Sequence, residues 1–330
     1  VREQTGFRQL EKPWNELNSA GRFRAPFYSW TWHDAWWRHF GGDADLFVIV
    51  AEDAAGTIHG IAPLMIARRR VRGLRVREVR FLENAIGPRN SVLLRQRVPE
   101  CEVLHVIVDC LARCRQEWDI ATLANIDQQA SYLVHLRSSV QRLGLYLREN
   151  TGRRSPYFRV ADDFSAYFAS RFGRKHRYNI RRNVKRLSTR RDYRLLEFTE
   201  PHSIDHGLEL AFRVSQASWK GQVGTHMSAS EARRGFYQQV TRELARLGQV
   251  RIWVAMLGDT PIAVEYQLTD GDTVYLLVSD FDQKHHSLSP GTALLYQSLE
   301  KLHEEPVRCF DFSGESYDYK KRWATDIRCH

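Results

Sequence analysis

Ser289-Pro290-Gly291-Thr292, followed by Asp311-Phe312-Ser313-Gly314 and Tyr319-Lys320, decides the reading of this chain. An apolar strand pattern from Thr273 to Ser279 precedes it, and Gly291 to His303 has helical periodicity. A strand, a Gly-containing turn and a helix start together aim backbone N–H groups and the positive end of a helix dipole at one point. Such a point suits a phosphate or pyrophosphate. Ordinary N-capping, with Pro in the first helical turn, would use the same residues.

Working outward, Val250 to Leu257, Pro261 to Leu268 and Thr273 to Ser279 read as strands joined at Gly258-Asp259 and Asp270-Gly271, both hairpin signals. Helices are expected over about 164 to 187, with a break near Gly173, and over about 203 to 219 and 231 to 247. A strand is expected over 193 to 199, and Arg308 to Phe312 is another. The first half reads as a hairpin, Leu46 to Glu52 with Thr57 to Ile66, and a second strand pair, Leu74 to Leu82 with Ser91 to Leu94. A helix over about 100 to 117 follows, then a buried strand over 119 to 124, a helix over 128 to 142 and a strand over 145 to 149. The expected class is α/β (α+β), with two domains, 1–155 and 156–330. Each would hold a mixed, mostly antiparallel sheet flanked by helices, and the extreme C-terminus beyond Trp323 would return to the first.

With 330 residues, the chain has room for two cores. Its 43% apolar and 12% aromatic content excludes a disordered chain. The longest apolar run, near Val103 to Ala112, is broken by His105 and Asp109, so no transmembrane helix is expected. The N-terminus lacks the apolar stretch of a signal peptide. Five cysteines without Cys-x-x-Cys spacing argue against a disulfide framework or a zinc site, and no metal is expected. A reducing cytoplasm is the expected compartment. The net charge of +10 is concentrated in two places, Arg68 to Arg80 and Arg171 to Arg191. Such fields attract nucleic acid, an anionic membrane surface or a phosphate-rich small molecule; solvated basic surfaces are the alternative.

The order Gly258-Asp259-Thr260-Pro261-Ile262-Ala263, Val274-Tyr275-Leu276, Asp280, Ser289-Pro290-Gly291, Asp311-Phe312, Tyr319-Lys320 resembles the C-terminal module of the CelD/BcsL-type acetyltransferases. That family belongs to the GNAT superfamily and is related in fold to the FemABX peptidyltransferases. The resemblance extends through Ser218-Trp219-Lys220 and Arg177 to Arg182, and in the first half through Phe27 to Trp36 and Gly60 to Leu64. It implies tandem GNAT-like domains and acyl transfer from acetyl-CoA or another acyl-CoA. The Gln/Arg-x-x-Gly-x-Gly/Ala phosphate loop of ordinary GNAT enzymes is absent here.

Acyl transfer needs a polarised carbonyl, an unprotonated nucleophile and a protonated leaving group. In GNAT enzymes a splayed central strand, a carboxylate or water chain and a Tyr commonly serve these needs, and the resemblance puts the splay at Thr273 to Ser279. Asp280 ends that strand; a turn-forming role is its alternative. Glu265 interrupts an apolar strand, and a carboxylate on a buried face must be paired, raised in pKa or catalytic. The resemblance to FemABX enzymes implies an acyl-transfer Lys at Lys320, preceded by Tyr319. These four are the catalytic candidates. Ser289, Gly291, Thr292 and Ala293 are the donor-binding candidates, with Arg177 and Arg181 as an i, i+4 anion clamp. Trp219, Lys220 and Asp311 are assigned to the acceptor. The Trp30, Trp32, Trp36 and Trp37 cluster reads as packing, or as a sugar-stacking platform. The expected reaction is N- or O-acylation of an amino-sugar, a polysaccharide precursor or a small amine. The alternatives are aminoacyl-tRNA-dependent transfer, with tRNA meeting the second basic segment, and a non-enzymatic role in envelope polysaccharide assembly.

Overall fold

A computed structural model describes residues 1–330 except 22–23, 85 and 161–162. The chain divides into two compact units, residues 1–154 with 328–330 and residues 155–327.

Unit 1 begins with helices α1 (Gln4–Gln9), α2 (Glu11–Ala20) and α3 (Trp30–Phe40). Strands β1 (Asp45–Leu46), β2 (Ile49–Glu52), β3 (Ile58–Ala62), β4 (Leu64–Val71), β5 (Leu74–Phe81) and β6 (Leu93–Leu94) follow, then α4 (Glu100–Arg113), β7 (Ile120–Thr122) and α5 (Leu133–Arg142). The strands form two sheets, β1-β4-β5-β7 and β2-β3-β6. The expected first hairpin is therefore split between sheets. Pro63 sits between β3 and β4 and has no N–H for a ladder, so the chain changes sheet there. β5 pairs with β4 rather than with residues 91–94, because the two-residue Arg72-Gly73 turn closes that hairpin first. β7 is short and exposed rather than buried, and residues 145–149 form no strand. The apolar stripe of α4, Val103, Leu104, Ile107 and Leu111, covers Ile49, Leu64, Ile66, Val79 and Phe81. Trp30, Trp32 and Trp36 are buried, against Phe7, Phe27 and Phe40 respectively, and the Trp14 and Trp30 indoles donate to the Tyr28 and Phe7 carbonyls, so these three tryptophans of the cluster are packing.

Unit 2 runs β8 (Arg154–Arg159), α6 (Phe164–Arg171), α7 (Arg174–Ser188), β9 (Tyr193–Phe198), α8 (Ile204–Ala217), α9 (Trp219–Gln222), α10 (Glu231–Ala245), β10 (Val250–Leu257), β11 (Thr260–Asp270) and β12 (Thr273–Phe281). It ends with α11 (Pro290–Leu302), β13 (Cys309–Asp311), α12 (Asp318–Trp323) and the start of β14 (Asp326–Cys329), whose last two residues belong to unit 1. The sheet order is β14-β8-β13-β12-β11-β10-β9. β9 to β12 are antiparallel neighbours, whereas β12 and β13 run parallel. Helices α8 and α10 cover one face; α11, with α7 against it, covers the other. Mixed α/β architecture with mostly antiparallel sheets is thus as the sequence predicts.

Two irregularities of β12 open an edge within this sheet. Its register against β11 slips between Tyr266↔Val278 and Gln267↔Leu276, leaving Leu277 as a bulge. Its pairing with β13 stops at Tyr275↔Asp311, although β12 continues to Phe281. The two parallel strands part there, and among the described residues no strand pairs with the β13-side edge of β12 beyond Tyr275.

Candidate active site

Side-chain parity in a sheet sends successive residues to opposite faces. Asp280, opposite Val264, faces α8; Glu265, opposite Ser279, faces α11. The two carboxylates predicted together therefore lie on different faces of one sheet.

Asp280 is buried. Its Oδ2 accepts from Ser215 Oγ at 2.8 Å, and Ser215 Oγ in turn accepts from the Met227 amide at 3.0 Å. Lys220 Nζ stands 2.7 Å from Oδ1, an ion pair outside hydrogen-bond alignment. Ser218 caps α9 by accepting from the Lys220 amide, which sets the lysine over the end of β12. Trp219 is 45% exposed beside it.

Glu265 is fully enclosed. Its Oε2 accepts from Ser298 Oγ and Gln267 Nε2, both at 2.8 Å, while Oε1 has no partner among the described residues. Burial pushes its carboxyl up to about 7 against the pull of those two donors.

After β13 the chain turns back through Ser313, which adopts a left-handed conformation (φ 51°), with its amide donating to Asp311 Oδ1 at 2.8 Å. That turn points the Phe312 and Ser313 carbonyls at Lys320 on α12, whose Nζ donates to both at 2.8 Å. Lys320 is 7% exposed; burial, with Lys220 nearby, brings its amine down to about 8, opposed by Asp311. The adjacent Tyr319 is 40% exposed as a residue, with its hydroxyl turned inward beside Ser279. Burial first, then the carboxylates of Glu265 and Asp280, raise its pKa. The Tyr317 ring stacks on that of Tyr319, with centroids 6.4 Å apart.

Ser289, also left-handed (φ 51°), starts α11 without capping it through its side chain. Pro290 has no N–H, and the first intrahelical donor is Ala293, bonded to the Ser289 carbonyl at 3.1 Å. The Gly291 and Thr292 amides are left without intrahelical partners. A Cβ on Gly291 would stand 3.2 Å from Phe281 Cδ1, so the helix start is tight against the end of β12. These unclaimed donors fit a diphosphate.

Arg177 and Arg181 do not form one clamp. Arg177 donates to the Ala169 and Phe172 carbonyls at 3.0 and 2.7 Å and braces the elbow between α6 and α7. Arg181 lies over the Phe168 ring. Sequence reasoning missed Ser215, Gln267, Ser298 and Tyr317. Gln267 was within reach, since a second polar residue two positions from Glu265 shares its face.

Residues 174–321 match a family model described as an acetyltransferase (GNAT) domain. That span begins at α7 and ends within α12. Among solved structures, FemX is similar with 11% identity over 96% of this chain and 93% of its own, at a TM-score of 0.58. The C-terminal domain of a putative lysylphosphatidylglycerol synthetase from Agrobacterium fabrum has 11% identity over 98% and 91%, at 0.58. A tandem GNAT protein from the clavulanic acid biosynthesis pathway has 14% identity over 100% and 95%, at 0.51. No curated protein matches the chain significantly. These identities carry the fold alone.

Residues 174–321 carry the match to a GNAT acetyltransferase domain, the fold is tandem GNAT-like, and together they support an enzyme of the transferase class. The non-enzymatic alternative gives way to that assignment. Among the described residues no group of His, Cys, Asp or Glu is placed to hold a metal ion, and no helix is long and apolar enough to cross a membrane.

Proposed function

We propose that unit 2 transfers an acyl group from an acyl-CoA to an amine or hydroxyl of an amino-sugar, a polysaccharide precursor or a small amine. The observation that carries this reading is the parting of β12 from β13 between the unclaimed amides of α11 and the Tyr319-Lys320 pair. The donor's diphosphate would lie on the Gly291 and Thr292 amides, with its thioester in the opening. The acceptor nitrogen or oxygen attacks the thioester carbon, the C–S bond breaks, and the developing oxyanion is met by the Lys320 ammonium. Tyr319, held protonated, gives its proton to the leaving thiolate, and Glu265, titrating near neutrality, takes the acceptor's proton. Asp280, fixed by Ser215, holds Lys220 beside Lys320 and Trp219. Unit 1 takes a structural or acceptor-binding part, and the CelD/BcsL-type assignment rests on the motif order.

Isothermal titration with acetyl-CoA and longer acyl-CoAs, then thiol release across a panel of amino-sugars and amines, tests the proposal. No heat with any acyl-CoA would sink it. One observation favours aminoacyl-tRNA instead: on α7 the side chains of Arg174, Lys175, Arg182 and Lys185 are solvent-facing and form no ion pair among the described residues. A tRNA contact releases several counterions, so affinity would fall by orders of magnitude between about 50 and 200 mM salt. A flat salt response in filter binding removes tRNA.

A further inference from the structure

The hairpin of β4 and β5 runs out of its own sheet. β1 reaches β4 only at Met65 and Ile66, and β7 reaches β5 only from Glu78 to Arg80. From Arg68 to Val76 the hairpin is a two-stranded ribbon with no further strand on either edge among the described residues, closed by Arg72 and Gly73 at φ 49° and 87°. Positive φ at both central residues gives the tight turn that matches strand twist.

The ribbon has two unlike faces. Directly opposed residues share a face, so Val71, Leu74 and Val76 lie on one side together with Arg69, which is paired with Glu78, while Arg70 and Arg75 lie on the other, next to Arg68 and Arg77. Leu74, at the tip, is 72% exposed. Arg68, Arg69 and Arg77 are ion-paired with Asp45, Glu78 and Asp119. Arg70, Arg72 and Arg75 form no ion pair among the described residues, and no acid lies between Arg68 and Arg77. An isolated two-stranded ribbon is marginal in water, and an uncovered leucine at its tip adds nothing to it there. An interface that is apolar on one side and anionic on the other would satisfy both features.

We propose that this ribbon tip docks on the surface of an anionic lipid bilayer, with Leu74 and Val71 entering the headgroup boundary and Arg70, Arg72 and Arg75 meeting lipid phosphates. Charge complementarity selects an anionic surface, and the exposed Leu74 selects a bilayer over a nucleic acid, whose phosphates would engage the arginines and leave Leu74 in water. The proposal is independent of the acyl-transfer reading, since it uses none of those residues.

Co-sedimentation of the full chain with phosphatidylcholine vesicles, with and without phosphatidylglycerol, tests it. Binding is expected only with phosphatidylglycerol and should weaken with salt. Each arginine near the surface contributes about fivefold in partitioning, so the triple variant Arg70→Gln, Arg72→Asn, Arg75→Gln should lose on the order of a hundredfold. Leu74→Ser should lose about tenfold or more. Leu74→Trp should keep binding and shift its emission to the blue on phosphatidylglycerol vesicles, a readout that needs no loss of function. No binding of the unaltered chain, or no blue shift, overturns the proposal. Loss in the arginine variant with full binding by Leu74→Ser also overturns it and makes the ribbon a general polyanion contact.

Discussion

Replacing Lys320 by Met should remove both a charge that the fold holds at a cost and the cation that the proposed reaction uses. Burial brings the Lys320 amine from 10.5 to about 8. A folded-state pKa below the unfolded one means that the unfolded chain binds more protons between those values, so stability rises with pH across that window. At pH 7 the protonated amine is disfavoured in the fold by roughly 3 kcal/mol, and by pH 10 all but about 1 kcal/mol of this has gone. Methionine carries no such term, but it leaves the Phe312 and Ser313 carbonyls without their donor, at about 1–3 kcal/mol each. The two effects offset one another near pH 7, and the loss dominates at pH 10. The wild-type advantage over the variant should therefore grow by roughly 2–3 kcal/mol from pH 7 to pH 10, or about 5–10 °C in Tm for a unit of this size. Differential scanning of both proteins side by side cancels the titration of every other group. Parallel stability profiles would refute the claim that the fold desolvates this amine. In turnover, the variant should lose more than tenfold in kcat and kcat/KM with donor affinity nearly unchanged, and wild-type activity should fall as pH rises through about 8. A variant with wild-type kcat removes Lys320 from the chemistry.

Asp280→Ala should destabilise by about 2–4 kcal/mol in urea titration, because Ser215 and Lys220 both lose their partner, although Lys220 is partly exposed and can turn to water. Adding Lys220→Met should recover part of that loss. Glu265→Gln should be more stable than wild type at pH 8 by up to roughly 3 kcal/mol, since a carboxyl raised from 4.5 to about 7 favours the fold only when protonated. That advantage should vanish as pH falls through 7 toward 4.5; a gap that does not change with pH would mean the carboxyl is not desolvated. Thr292→Glu should weaken acyl-CoA binding about tenfold in calorimetry with stability unchanged or slightly raised, because a carboxylate suits a helix N-terminus but repels a diphosphate placed there. Unchanged affinity would move the donor away from α11.

Unit 2 is legible in the sequence wherever local chemistry sets the chain direction. Gly258-Asp259 and Asp270-Gly271 mark the meander turns, Gly173 divides α6 from α7, and Ser289-Pro290 starts α11. Unit 1 is less so, because its pairing is decided by competition among strands. Pro63 moves the chain between sheets, and the Arg72-Gly73 turn takes β5 from the partner that alternation assigns it. In the site, Asp280 and Glu265 stand out as polar residues within or just after apolar runs, whereas Lys320, in a polar stretch, is reached through the family resemblance. Their partners do not, since Ser215 is 65 residues from Asp280 and Ser298 is 33 from Glu265. The expected arginine clamp rests on helical spacing alone, which cannot tell an arginine reaching for an anion from one bonded to the preceding carbonyls, as Arg177 is.

The opposite facing of the two carboxylates gives them different physical states in one sheet. Asp280 meets Lys220 and Ser215 on the α8 face, so its charge is matched where it is buried. Among the described residues Glu265 meets the neutral donors Ser298 and Gln267 on the α11 face, so burial dominates and its carboxyl titrates near neutrality. A fixed ion pair orients the groups around it, whereas a carboxyl near 7 can accept and release a proton. Tyr319, which senses both carboxylates, stands at the free edge of β12 where the two faces meet. In the proposed reaction the parting of β12 from β13 is thus what would let groups from opposite faces act on one acyl carbon; a fully paired β13 would close that edge and keep them apart.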